Sequence, residues 1–194
     1  MRRRAELVDE TRQRITDAAI RLHTTVGPSK TSISTIADEA GVTRLTVYRH
    51  FANADELFEA CRGHWRVQHP RPDTTAWRAI PHLEDRARRA FTELYGWYRQ
   101  NGADLYPIFR DAEWMPRSSQ ETARAEARAT VEDLVADHDT RARGRLLRAA
   151  AGHLTGYWSW RSLAIEQGLN DVEAVDLAVG ILMGAARKTA TKPA

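Results

Sequence analysis

The chain of 194 residues is poor in the residues that staple or interrupt a fold. It holds one cysteine, Cys61, so no intrachain disulfide can form, and its place in a helical run reads as a packed thiol, not a redox centre. Only 11 Gly and 7 Pro stand among long Ala/Arg/Glu/Leu stretches. That argues against a turn-rich β architecture and predicts an all-α chain. No apolar run approaches the roughly 20 residues needed to cross a bilayer. The opening MRRRAELVDE carries charge with no hydrophobic segment behind it, so it does not read as a secretory signal, and the expected compartment is the cytoplasm. Lysine is scarce as well: Lys30, Lys188 and Lys192 are the only three among 29 Lys and Arg. The formal net charge of +3 is compatible with a nucleic-acid partner but does not require one. Glycine-rich phosphate loops, His-Glu-x-x-His and a nucleophile elbow are all missing, so no enzymatic role is expected. Asp137-His138-Asp139 does not read as a metal site, because adjacent residues point in different directions around a helix. No cofactor is expected.

What is present is helical periodicity. Behind a basic arm, Arg2 to Arg4, expected to be flexible, a helix is predicted over 9–25, with Ile15, Ala18, Ala19 and Leu22 inward. It ends near Gly27-Pro28. Thr31 or Ser32 caps the next helix, and Asn53 caps a later one through ADELFEACRGHWRVQ, with Asp55 and Glu56 at its positive end. The segment HPRPDTTAWRAIP, rich in Pro and turn formers, is the candidate boundary between domains 1–67 and 68–194. Beyond it, helices are predicted at 82–101, 103–113, 118–138, 144–167 and 171–189.

Residues 34 to 51, STIADEAGVTRLTVYRHF, carry the functional signal. They read as a helix, a tight turn at Gly41 and a second short helix. Ala37 must be small because the second helix crosses above it. Gly41 supplies a positive φ, and Val47 fills the wedge with Ile36, Ala40 and Val42. Such a helix-turn-helix places its second helix in the DNA major groove. Thr43 is the cap of that helix and a phosphate candidate. Arg44 presents a fork suited to guanine, Leu45 an apolar contact for a thymine methyl, and Thr46 a small polar group for close approach. Tyr48 and His50 suit the sugar-phosphate walls, and Ser32 and Ser34 are further backbone or base candidates.

A basic arm, one helix, then a helix-turn-helix ending T-V-Y-R-H-F and followed by D-E-L-F resembles the TetR family of bacterial transcriptional repressors, over roughly residues 10 to 65. The resemblance implies an all-α protein: an N-terminal three-helix DNA-binding domain followed by a helical ligand-binding and dimerisation domain. It further implies a homodimer on a palindromic double-stranded operator, released when a small-molecule effector binds. One departure stands out. The family commonly has lysine where this chain has Ala54, so one phosphate clamp is missing, and Arg2 to Arg4, Lys30 or Arg49 are left to supply the charge.

The second half is aromatic: five of the six tryptophans lie beyond residue 70. Aromatic rings with a few polar tips suit a flat hydrophobic or aromatic ligand. The candidates are Trp97, Tyr98, Phe109, Trp114, His153 and Tyr157, with Arg110 or Glu113 as a polar anchor. His153, Tyr157 and Trp160 fall on one stripe if 144–167 is a single helix. The last two helices are apolar on two sides, as a dimer interface would be. The competing reading is a helix-turn-helix regulator whose C-terminal domain binds a protein partner or no effector.

Overall fold

A computed structural model describes residues 2–138 and 144–187. Among the described residues nine α-helices follow one another: α1 (Arg2–Thr25), α2 (Ile33–Ala40), α3 (Arg44–His50), α4 (Ala54–Gln68), α5 (Leu83–Arg110), α6 (Arg117–Val135), α7 (Gly144–Leu154), α8 (Tyr157–Arg161) and α9 (Asp171–Ala186). Short 3-10 turns and one π-helical turn, Ser162–Glu166, join them. Among the described residues there is no strand, as the composition predicts.

The described chain divides into two compact units. The first takes residues up to Pro70 together with Asn101–Ala123; the second takes Arg71–Gln100 and the described residues from Arg124 onward. The first unit gathers segments that lie far apart in the chain. Asp111 accepts from the backbone N–H and hydroxyl of Ser29 at 3.0 and 2.5 Å. The hydroxyls of Ser118 and Ser119 donate to Asp55 and Glu59 of α4. Glycine suits position 27: its φ of +99° strains any L side chain, and a Cβ there would lie 2.3 Å from Asp111 Oδ2 and displace it.

The core of the first unit is Ile15 and Ala19 of α1, Ile36 and Ala37 of α2, Val47 of α3, the following Phe51, and Leu57 and Cys61 of α4, all buried. Burying Val47, Phe51 and Leu57 contributes about 1.5–3 kcal/mol each. The expected thiol packing holds: Cys61 donates to Thr16 O, and burial pushes its pKa up to about 12, so it stays protonated.

Three expectations about helix limits are corrected. α1 begins at Arg2, not near Asp9; the side chains of Arg2 to Arg4, the proposed phosphate partners, lie outside the described residues. The break expected at Asn101-Gly102 does not occur, and α5 continues to Arg110. Asn101 is buried and hydrogen-bonded at 2.6 Å to His69 Nδ1, so tertiary bonding overrides a pair that reads locally as a helix end. Conversely, the single helix expected over 144–167 is broken at Thr155-Gly156. Two tyrosines of α5 stabilise the break: Tyr95 donates to Leu154 O and Tyr98 to Thr155 O, both at 2.9 Å. They satisfy carbonyls left without helical partners. The break also disperses the expected stripe: Tyr157 and Trp160 are buried, whereas His153 is exposed. The break expected at Thr140 to Gly144, and Asp139, fall largely on 139–143, outside the described residues.

The second unit is tied by a buried cation. Arg86, 2% exposed, donates to Ile80 O at 2.9 Å, Ala136 O at 2.6 Å and Arg78 O at 3.3 Å, joining the 3-10 turn Thr74–Ala79 and the end of α6 to α5. Trp77 is buried with its indole N–H on Glu93 at 2.6 Å.

Candidate nucleic-acid interface

The helix-turn-helix is built by local rules that all hold. Ser32 caps α2 in a capping box: its hydroxyl accepts from Thr35 N at 3.1 Å, and Thr35 Oγ1 accepts from Ser32 N at 2.8 Å. α2 ends on Gly41 at φ +64°, and Val42 N–H closes back on Ala37 O at 2.9 Å. A Cβ added at Gly41 would meet nothing within 4 Å, so the demand there is for the left-handed backbone, not for space. Thr43 then caps α3 by accepting from Thr46 N at 3.1 Å, and the two hydroxyls lie 2.9 Å apart. Asn53 caps α4 through Glu56 N at 2.8 Å.

Ala37 and Val47 are each 1% exposed and Ile36 3%. With those residues inward, α3 turns its other side chains to solvent. Arg44, Leu45, Tyr48 and Arg49 are exposed; Thr46 and His50 are half-buried. Leu45, at 60% exposure, has no core to enter. Ser32 is exposed and Ser34 half-buried on the first turn of α2, next to the same surface in sequence. All eight residues expected at DNA therefore lie in the α2-turn-α3 unit, and none is fully buried. Ala54 is exposed at the first position of α4, with Asp55 and Glu56 beside it, so that helix start carries negative side chains and no cation.

Sequence reading missed Arg12. Its guanidinium sits 4.1 Å from the centroid of the Phe51 ring, donates to His50 O, and donates to Glu56 Oε1 at 3.2 Å. Glu56 in turn accepts from Ala52 N at 2.9 Å, and that bond with Arg12 lowers its pKa. No local pattern announces a contact that spans 38 to 44 residues.

The residues expected around an effector divide between the units. Phe109, Arg110 and Trp114 belong to the first and Trp97, Tyr98, His153 and Tyr157 to the second. In the second unit the Tyr98 ring meets Trp97 at 5.4 Å, Tyr157 at 5.6 Å and Trp160 at 5.8 Å. Arg71, which sequence reading also passed over, lies 5.5 Å from the Trp97 ring. Arg110 is committed to Asp111 and to Val26 O at 2.8 Å, while Trp114 is 69% exposed.

A small helical bundle that displays one short capped helix with its outer side chains exposed has the form of a helix-turn-helix head. Residues 15–61 match the model of the bacterial regulatory proteins of the tetR family. The HTH-type transcriptional regulator AcrR of Shigella flexneri is 46% identical over 57 residues, which span 29% of this chain and 26% of that protein. The chain thus aligns with about a quarter of this relative's length. Two solved structures share the fold over nearly the whole chain. A TetR-like transcriptional regulator from Rhodococcus sp. RHA1 has a TM-score of 0.62 at 21% identity, covering 92% of this chain and 97% of its own. The multidrug binding protein EbrR, complexed with imidazole, has a TM-score of 0.56 at 23% identity, covering 94% and 98%. Over its N-terminal helices the chain is similar to the bacterial regulatory proteins of the tetR family.

Proposed function

We propose that this protein is a ligand-responsive transcriptional repressor that binds a palindromic operator as a homodimer and leaves it when a small molecule binds. In this reading residues 1–67 engage DNA and residues 68–194 bind the effector and the second subunit. The observation that carries it is the outer face of α3, where Arg44, Leu45, Thr46, Tyr48 and His50 surround no core of their own. Arg44 reads guanine, Leu45 a thymine methyl, and Thr46 sits close to the groove floor. Thr43, Tyr48, His50 and Ser32 hold the backbone, with Ser34 beside them.

Dimerisation is supported by large apolar side chains of the second unit that stand partly exposed. Trp158 is 48% exposed, Leu177 44% and Ile181 46%, and nothing lies within 4 Å of a Cβ added at Gly180 or Gly184. A hydrophobic or aromatic effector is supported by the ring cluster of Trp97, Tyr98 and Tyr157, and by the imidazole-bound multidrug binding protein that shares the fold. His153 completes the proposed effector set of the second unit, while Phe109, Arg110 and Trp114 belong to the first.

The test is selection. The full-length protein is offered a randomised duplex library, and the reading expects enrichment of an inverted repeat with half-sites about one helical turn apart. A library that shows no enrichment contradicts it.

A further inference from the structure

α3 has only seven residues, Arg44–His50, far below the length at which a helix is stable by itself. Its orientation is therefore set by the burial of Val47 and by what holds its two ends. Thr43 holds the N-terminal end. At the other end, the last carbonyls have no helical donors, and Arg12 of α1 supplies one. One guanidinium nitrogen donates to His50 O, the other to Glu56 Oε1 at 3.2 Å, and the planar group lies over the Phe51 ring with its carbon 4.1 Å from the centroid. Phe51 is 1% exposed and is the C-cap residue of α3. Glu56 carries the chain of bonds on to Ala52 N at 2.9 Å, within the turn that leads to α4.

We infer that Arg12 is a positioning residue for DNA recognition: it reads no base, but fixes the angle at which α3 leaves the bundle and offsets the Glu56 carboxylate beside the DNA-facing surface. This rests on the DNA-binding reading above. Three properties of arginine are used together: the fork that meets two acceptors, the flat face that stacks on the ring, and a charge that complements the negative end of α3. Lysine keeps only the charge. A negative group next to the first turn of α4 repels phosphate, and Ala54 offers no cation to counter it, so Arg12 serves electrostatics as well as geometry.

The test compares Arg12→Met and Arg12→Lys with the unaltered full-length protein. The probes are the duplex that the unaltered protein selects and a randomised duplex of equal length at the same salt. Arg12→Met is expected to weaken the selected duplex by about tenfold to hundredfold, the worth of a charge-assisted hydrogen bond, and the randomised duplex by a clearly smaller factor, through the lost charge alone. Arg12→Lys recovers part of that loss. Amide exchange is read in parallel on Arg12→Lys, which keeps the charge in the bundle: Val47 to Ala52 are expected to exchange faster while α1 and the rest of α4 do not. An equal loss on both duplexes would reduce Arg12 to a simple phosphate contact and overturn the inference. So would an unchanged preference in folded Arg12→Met, or unchanged exchange in Arg12→Lys. If no duplex is selected by the unaltered protein, the DNA-binding reading falls and this inference falls with it. Selection that succeeds with Arg12 shown to be dispensable removes the inference alone.

Discussion

The helix starts of the helix-turn-helix and the joints of the second unit are fixed by opposite means. In the first, each helix start is fixed by a side chain bonding three residues onward: Ser32 to Thr35, Thr43 to Thr46, Asn53 to Glu56. In the second, the decisive bonds join positions far apart in sequence: Arg86 to Ala136, Tyr95 to Leu154, Tyr98 to Thr155. Short-range bonds leave a signature in the sequence and can be lost one at a time. Long-range bonds leave none, and several elements depend on each.

That contrast sets an order of expected effects. Arg86→Met removes the shared donor of three part-buried carbonyls. At about 1–3 kcal/mol for each unsatisfied group, the second unit is expected to lose about 3–5 kcal/mol of stability, less whatever water can recover. Amide exchange should locate that loss in Arg71–Gln100 and beyond Arg124, with 15–61 little affected. A loss spread evenly over the chain would erase the distinction between the units.

Next comes a titration confined to the first unit. His23 is buried against the Phe58 ring at 4.8 Å, and burial lowers its pKa to about 4. The unfolded chain binds that proton with a pKa near 6.5, so the unfolded state gains protons first as pH falls. Stability is therefore full above about pH 6.5 and declines toward pH 4, by an amount on the order of 2–3 kcal/mol. His23→Leu should flatten the denaturant midpoint across this window. Asp111 acts lower: its bonds to Arg110 and Ser29 depress its pKa, so its contribution is present above the ordinary carboxylate range and lost in stronger acid. A curve that stays pH-dependent between 4 and 6.5 in His23→Leu would assign the effect elsewhere.

The smallest changes sharpen the comparison further. Tyr98→Phe strips one buried hydrogen bond from the end of α7 and is expected to cost about 1 kcal/mol. Thr43→Ala removes one cap and is expected to cost a similar amount, about 1 kcal/mol. Their consequences should differ in reach: Thr43→Ala frays α3 alone, whereas Tyr98→Phe loosens α5, α7 and α8 together. Exchange rates after each substitution decide this, and equal spread in the two variants would contradict the contrast.

The same physics decides what could be read in advance. The three caps, the Gly41 turn and the inward Ala37 and Val47 follow from residue chemistry over a few positions, and they stand in the structure as expected. The continuity of α5 through Asn101-Gly102 and the break at Thr155-Gly156 depend on His69, Tyr95 and Tyr98, which no window around those positions contains. Arg12 escaped notice for the same reason. In a sequence it is one arginine of many on a helix, and only the fold brings it to His50, Phe51 and Glu56.

The central claim is that the exposed face of α3 reads DNA by sequence, and Arg44→Ala tests it most directly. Footprinting of the selected inverted repeat with the full-length variant is expected to show the protected half-sites lost, with residual binding no stronger than to randomised duplex. Arg44 lies on the exposed face of α3, so the variant should fold as the unaltered protein does. An Arg44→Ala protein that still protects the same half-sites with undiminished preference would contradict the account.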